Sequence, residues 1–403
     1  MSKCSDYRVQ LDTLSTGFDG KTCWVQCRAG TIPPGAAGDN ALPIVVLTMQ
    51  KLLLAGCDVF YELSEMRTDD LGATWSGPTP HPDTLGRRPE PGGVEVCICD
   101  ATPRWHAATG RLLSTGHSVR YIGDAIVPDP RRREATYTVY DPQQRTWTPW
   151  RMLELPDPDG KFFSAGAGSA QRFDLPNGDV LLPLYFKSYE EASKPSGTWR
   201  YFAAVARCRF DGETLSYVEH GSELTCPEVR GCCEPSMTRF GDRFFLTLRN
   251  DVRGYVTSGP DGLTYDEPRP WTFDDGEELG SYNTQQHWVT HSEKLYLVYT
   301  RRGLNNDHVF RHRAPLVMAE VDPERLCVLR DTEQVVIPER GARLGNFAVT
   351  DVSPQETWVT VSEWMQTAGP NPYDYTICQQ YGSDNAVFAG RIVWERANLS
   401  VGG

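Results

Sequence analysis

Short runs of Val, Leu, Ile, Phe and Tyr alternate along the whole chain with turns rich in Gly, Pro, Asn and Asp. No long amphipathic helical period interrupts them, so the pattern predicts an all-β chain. One unit returns six times: an apolar strand, a tight turn, a charged residue, and a second apolar strand ending on a polar group. The copies are "IVVLTMQKLLLAGCD", "RWHAATGRLLSTGH", "RFDLPNGDVLLPLY", "MTRFGDRFFLTLR", "WVTHSEKLYLVYTR" and "AVTDVSPQETWVTVSE". Their second strands are predicted to begin at Lys51, Arg111, Asp179, Arg243, Lys294 and Glu356, spaced 51 to 68 residues apart. Repeats of this size, each with an apolar face that needs neighbours on both sides, predict a closed ring of four-stranded blades. The expectation is one six-bladed β-propeller domain over residues 1–403. Its ring closes by pairing "DYRVQLD" (6–12) with "AVFAGRIVWE" near the C-terminus. A seventh blade built from residues 1–43 and the C-terminus is the alternative.

The stretch "EMRTDDLGATWSGP" (65–78) falls where the third strand of the first blade turns into the fourth. Asp accepts backbone N–H bonds in such a turn, Gly supplies positive φ, and Trp anchors the turn on the blade. Thr68 to Trp75 closely resembles the Asp-box of sialidase-type propellers, S/T-x-D-x-G-x-T-W. A weaker copy runs from Ser258 to Tyr265, with Pro260 in the aspartate's place, and "YDPQQRTWTPW" is a more distant echo. In that family these turns lie on the face away from the active site, which makes Asp70 structural.

Composition narrows the chemistry. The 403 residues carry a net charge of −13, which argues against a nucleic-acid or anionic-membrane partner while leaving room for a local cluster of arginines. The N-terminus has no apolar leader and no run is long enough to span a bilayer, so a cytoplasmic protein is expected unless a leader has been removed. The 12 cysteines are expected to be buried thiols rather than disulfides, and Cys97–Cys99 and Cys232–Cys233 lack zinc spacing. No metal or cofactor is expected; oligomeric state stays open.

Equivalent strand ends of a propeller converge on one rim. The ends of the six second strands are Asp58, His117, Tyr185, Arg249, Arg301 and Glu363, and the first strands add Glu234, Gln285 or Gln286, His287 and Asn346. Carboxylates, imidazole and guanidinium on one concave face are the ingredients of a glycan-processing site.

The sialidase resemblance extends to this rim. "CEPSMTRFGDRFFLTLRN" (233–250) is similar to the family's E-P-S stretch followed by an arginine, which implies a supporting role for Glu234 and a carboxylate-gripping role for Arg249. "WVQCRAGTIPP" resembles the R-I-P region, implying that Arg28 is a second clamp. "FRHRAPLVMAEVD" resembles the region of the third, Arg313, with Arg311 competing. Planar guanidinium forks suit a carboxylate because both oxygens are bonded at once. Asp58 lies near the family's acid/base aspartate, and Glu363 matches a glutamate of the last blade. The family's nucleophilic Tyr is matched by Leu344, and an aliphatic side chain cannot attack an anomeric carbon.

Three functions follow. The first is an exo-type glycoside hydrolase acting on a terminal carboxylated sugar of an acidic oligosaccharide or polysaccharide, with acid and base drawn from Glu234, Asp58 and Glu363. The second is a uronate lyase in which arginines neutralise the carboxylate and His106, His117, His287 or Tyr185 moves the proton. The third is a non-catalytic glycan-binding propeller.

Overall fold

A computed structural model describes residues 6–56, 58–195 and 197–400. The alternating apolar runs become antiparallel strands that pair into six sheets, in the arrangement of a β-propeller. The first sheet holds Thr22–Ile32, Ile44–Leu53, Phe60–Thr68 and Ser76–Pro80. Val94–His106, Arg111–Ile122 and Ala135–Asp141 form the body of the second. In the third, Ser164–Gly166, Asp179–Lys187, Arg200–Phe210 and Leu215–His220 follow one another. The fourth is Cys233–Phe240, Arg243–Arg249, Tyr255–Gly259 and Arg269–Pro270. The fifth is built on His287–Thr290, Leu295–Tyr299 and Leu316–Asp322. Ala348–Ser353, Glu356–Ser362 and Val387–Trp394 make the sixth, which Tyr7–Ser15 completes from the other end of the chain.

The second strands are apolar throughout because each is buried on both faces. In Asp179–Lys187, Val180, Leu182 and Leu184 pack toward the second sheet while Leu181 packs toward the fourth. The same division gives an apolar layer between every pair of neighbouring sheets, the sixth against the first included. Such a ring leaves no sheet face in water. Closure is the expected pairing: Tyr7 lies opposite Trp394, and the register runs on to Thr13 opposite Phe388.

Five of the six hairpins begin their second strand at the predicted residue or one beyond it, Lys294 giving way to Leu295. The first does not. Ile44–Leu53 is one continuous strand with no turn at Lys51, and its inner partner is Thr22–Ile32, joined to it by residues 33–43. "PPGAAGDNALP" carries the Pro and Gly that a reversal needs, and "TMQKLL" carries none. Asp58 therefore follows the second strand instead of ending it.

The turn over residues 68–75 is built on Asp70, as expected. Asp70 accepts hydrogen bonds from the Thr74 amide at 2.9 Å and from the Thr74 and Thr68 hydroxyls at 2.6 and 2.7 Å. Trp75 packs 6.2 Å from Trp358 of the sixth sheet. In the fourth sheet the residue doing this work is Asp261, not the position of Pro260; its carboxylate accepts from the Leu263 and Thr264 amides at 2.9 and 2.6 Å. The ten cysteines among the described residues are buried and unbridged; Cys4 and Cys57 lie outside those residues.

Candidate active site

Each inner strand carries, within it or within four residues of it, one non-glycine residue in the left-handed region: Gln26, Asp100, Ser169, Glu234, Asn283 and Asn346, with φ between 44° and 79°. In the first, second and fourth sheets this residue sits in a break of strand register, between Val25 and Arg28, Cys99 and Thr102, and Cys233 and Ser236. A bulge with left-handed backbone turns a side chain away from the pleat and re-aims it. Five of these six side chains, all but Asn346, hydrogen-bond to the groups described next.

Asp100 accepts from Arg28 Nη2 at 2.7 Å and from the Ser169 hydroxyl at 2.9 Å, and its other oxygen lies 3.7 Å from His117 Nε2. The Gln26 side chain receives the Asp100 amide at 2.7 Å. His117 Nδ1 lies 3.1 Å from the Tyr185 hydroxyl, which also accepts from Arg133 Nη1 at 3.2 Å. A side chain at Gly168 would collide with His117 Nδ1, so only glycine permits this approach. Burial, then the charge of Arg133, holds the His117 imidazole well below its ordinary value and therefore neutral. Burial pushes Tyr185 up.

On the opposite side of the mouth, Glu234 is ion-paired with Arg249. Burial alone would raise the Glu234 carboxyl, but Arg249 outweighs it and holds the group below the usual carboxylate range. Arg249 also reaches Asp251, which is bonded in turn to Arg230 Nη1 at 3.0 Å. Asn283 Oδ1 receives three guanidinium groups: Arg249 Nη2 at 3.2 Å, Arg311 Nη1 at 3.1 Å and Arg313 Nη2 at 2.9 Å. Gly345 makes room for Arg313, since a Cβ there would lie 2.6 Å from Arg313 Cδ. Burial, then Arg343, Arg249 and Arg311, pushes Arg313 well below its ordinary value, a sign of cations crowded without enough counter-charge. Glu234 Oε2, Arg28 Nη1 and Arg313 Nε are buried with no hydrogen-bond partner among the described residues. Among those residues no three His, Cys, Asp or Glu side chains converge as a metal site.

Several expected residues thus meet: Arg28, His117, Tyr185, Glu234, Arg249 and Arg313, with Arg311 alongside Arg313 instead of replacing it. Asp58, with φ 54°, lies near enough to feel the charges of Arg133 and Arg311. Asn346 follows Gly345 beside Arg313, and Leu344 is buried in the apolar layer between the fifth and sixth sheets.

Other expected residues are occupied elsewhere. His106 ends its strand at the hairpin on the far face, bonded to the Thr109 hydroxyl and the Gly178 carbonyl at 2.8 and 2.9 Å. His287 is buried between the Ser236 hydroxyl and the Phe347 carbonyl, and burial lowers it to about 3. Gln286 is spent on Thr247 and Ser281. Arg301 makes a two-pronged ion pair with Glu333 at 2.7 and 2.8 Å. Glu363 is 1% exposed; it accepts the Asp384 and Ala386 amides and anchors that loop. Gln285 bonds to Thr284 and the Phe347 carbonyl. Residues not anticipated from sequence are Asp100, Ser169, Arg133, Tyr201, Arg230, Asp251 and Asn283. The one available signal was a polar residue interrupting an apolar strand, as Asp100 does in "VEVCICDATPRWH".

Beside the mouth, a cleft of about 930 Å³ opens between the second and third sheets, and Arg133 lines it as well.

No protein-family model matches the sequence, and no curated protein matches it either. Solved structures do. A protein of unknown function from Dyadobacter fermentans DSM 18053 is 13% identical, with 96% of this chain and 99% of that chain covered and a TM-score of 0.61. Trypanosoma rangeli sialidase, in complex with 2,3-difluorosialic acid as a covalent intermediate, is 14% identical, with 95% and 58% covered and a TM-score of 0.59. Phage phi92 endosialidase is 12% identical, with 98% and 70% covered and a TM-score of 0.50. The chain spans little more than half the length of the T. rangeli sialidase chains it matches. At these identities the likeness is one of fold, that of the sialidase propellers.

Proposed function

We propose that this protein is a carbohydrate-active enzyme that cleaves a terminal carboxylated sugar, sialic-acid-like or uronic, from an acidic glycan. The observation that carries the reading is the convergence of Arg249, Arg311 and Arg313 on Asn283 Oδ1. A neutral amide oxygen offers those three cations hydrogen bonds but no charge. A carboxylate beside it supplies the missing charge and fits guanidinium forks two oxygens at a time. The fold adds support, because T. rangeli sialidase has been solved with sialic acid bound.

In this reading Arg249, Arg311 and Arg313 fix the sugar carboxylate and so set the anomeric carbon in the mouth. Glu234 keeps Arg249 oriented and, being ionised, stabilises positive charge developing on the sugar ring. Asp58 donates a proton to the leaving oxygen, and water attacks the anomeric carbon from the other side. A second reading, elimination, is favoured by the chain Arg133–Tyr185–His117. A neutral His117 can accept the proton α to the carboxylate while Tyr185 protonates the leaving oxygen.

The test is product release from fluorogenic sialosides, glucuronides and natural acidic polysaccharides. Wild type should cleave a carboxylated glycan, and Arg249→Ala and Glu234→Gln should each lower kcat/KM by ~100-fold or more. Wild-type turnover by either variant overturns the assignment. An ultraviolet-absorbing unsaturated product selects elimination, and binding without any product selects a glycan-binding propeller.

A further inference from the structure

Lys187, at the end of its strand in the third sheet, is 4% exposed; among the described residues its ammonium group makes no ion pair, although the charge of Asp129 reaches it. Its Nζ stands 4.1 Å from the centre of the Trp199 ring and 5.0 Å from that of Tyr201. A buried cation without a counter-charge is costly, so what faces it matters. Tyr201, 5% exposed at the start of the next strand, is that neighbour. Its ring packs 5.4 Å from Tyr185, which is bonded to His117 and Arg133, and against Cys233, the residue before Glu234. Arg133, just ahead of Ala135–Asp141, and Arg230, in the short strand Arg230–Gly231 parallel to Arg200–Phe210 and itself paired with Asp251 at 3.0 Å, also direct their charge at it, and the Ser164 hydroxyl lies in hydrogen-bonding reach.

We infer that Tyr201 is a catalytic base of this site, its phenolate stabilised by Lys187, Arg133 and Arg230. The inference rests on the glycan-cleaving reading above. The electrostatics agree with the geometry: burial alone would push the phenol up, but the three cations outweigh it and hold Tyr201 below its ordinary value, whereas Tyr185 is pushed up. Lys187 is lowered by burial and feels Asp129 and Arg131 besides. In hydrolysis the phenolate oxygen takes a proton from water. The water oxygen forms its bond to the anomeric carbon as the glycosidic C–O bond breaks, and the leaving oxygen takes the proton of the Asp58 carboxyl group. Proton exchange with solvent then restores the Tyr201 phenolate and the Asp58 acid. This places a tyrosine in the chemistry from the third sheet, while position 344 holds leucine.

The test begins with tyrosinate difference spectra of the intact protein as a function of pH, with no ligand. One tyrosine should ionise ahead of the rest, vanish in Tyr201→Phe, and ionise at higher pH in Lys187→Gln, which keeps the phenol and guards against a folding defect in the first variant. With a substrate from the screen, Tyr201→Phe should lower kcat by ~100-fold or more while KM stays within about threefold. In Lys187→Gln the acidic limb of the kcat profile should move to higher pH. A wild type with no early-ionising tyrosine, an early phenolate that survives Tyr201→Phe, or full turnover by Tyr201→Phe each overturns the inference. If no glycan in the screen is cleaved, the functional reading falls, and the spectra alone still decide whether Tyr201 is the ionised group.

Discussion

Asn283 stands where three guanidinium groups converge; Arg249 is already paired with Glu234 and Asp251, and the amide offers all three hydrogen bonds without charge. Asn283→Asp would place a fixed carboxylate among Arg249, Arg311 and Arg313 without changing side-chain size. Charge-assisted hydrogen bonds are worth about 1.5–3 kcal/mol against about 1 for neutral ones, so the variant should unfold at a higher temperature. It should also lose its affinity for carboxylated glycans, because the built-in carboxylate occupies their place. Calorimetric melting and glycan titration measured together check both halves, and a variant that melts lower or binds as well as wild type contradicts them. His287 makes a different prediction. Lowered to about 3 by burial, it stays neutral in the folded protein while an unfolded chain binds a proton below about 6.5. Between those values the unfolded state holds the extra proton, so stability rises with pH and is lost as pH falls, by about 1.4 kcal/mol per unit. Denaturation curves from pH 7 to 4 should therefore fall less steeply in His287→Gln than in wild type, whatever the intrinsic cost of the substitution.

The elements divide sharply in what their sequence discloses. Turns between third and fourth strands declare themselves, because an Asp that caps backbone amides can be seen beside Gly or Pro. Asp70, Asp141, Asp211, Asp261 and Asp322 all do this work in successive sheets. Only the first matches the full spacing of the resemblance; in the fourth sheet the pattern pointed to Pro260, one residue short. Asp70→Ala should lower the melting temperature and leave glycan turnover unchanged, since its turn and the mouth lie on opposite faces; lost turnover at wild-type folding would contradict that placement. Entries to the inner strands disclose far less. Their left-handed residues are Gln, Asp, Ser, Glu and Asn rather than Gly, and where a Gly or Pro adjoins them, as at Gly168 and Gly345, it marks close packing and does not point to the neighbouring polar residue. That is why Asp100, Ser169 and Asn283 were not legible, although Glu234, His117, Tyr185 and Arg249 were. Strand-end polarity misled at Arg301 and Glu363 for a physical reason: a buried charge is satisfied by whatever lies closest, here Glu333 and the amides of a loop. His106 misled through direction, because a strand has two ends and only one faces the mouth.

At the scale of the whole molecule, a chain of net charge −13 gathers Arg28, Arg133, Arg230, Arg249, Arg311, Arg313 and Lys187 at one mouth against Asp58, Asp100, Glu234 and Asp251. Held within a concave, partly desolvated site, that surplus attracts anions that the outer surface repels. The gathering depends on closure, because side chains from all but one of the inner strands meet only if the last sheet meets the first. That joint has no covalent continuity: Tyr7–Ser15 is held to Val387–Trp394 by strand pairing and by side-chain contacts such as Arg391 to Asp12 at 3.1 Å. Trp394 fastens it, with ring centres 5.6 Å from both Tyr7 and Tyr296 and 4.8 Å from His291, while Lys294 reaches across to Asp6 at 2.7 Å. Trp394→Ala removes this packing but keeps every ladder hydrogen bond, and should cost about 3–5 kcal/mol. Deleting residues 1–15 removes the ladder as well and bares the edge of Val387–Trp394, a template for pairing with other chains. The truncated protein should therefore unfold at lower denaturant than Trp394→Ala and aggregate as it does so. Glycan binding should disappear in the same transition as the fold, because Arg28 and Arg313 lie on either side of the joint. Retention of the full midpoint after truncation, or loss of binding well before unfolding, would show that the mouth does not depend on the closed ring.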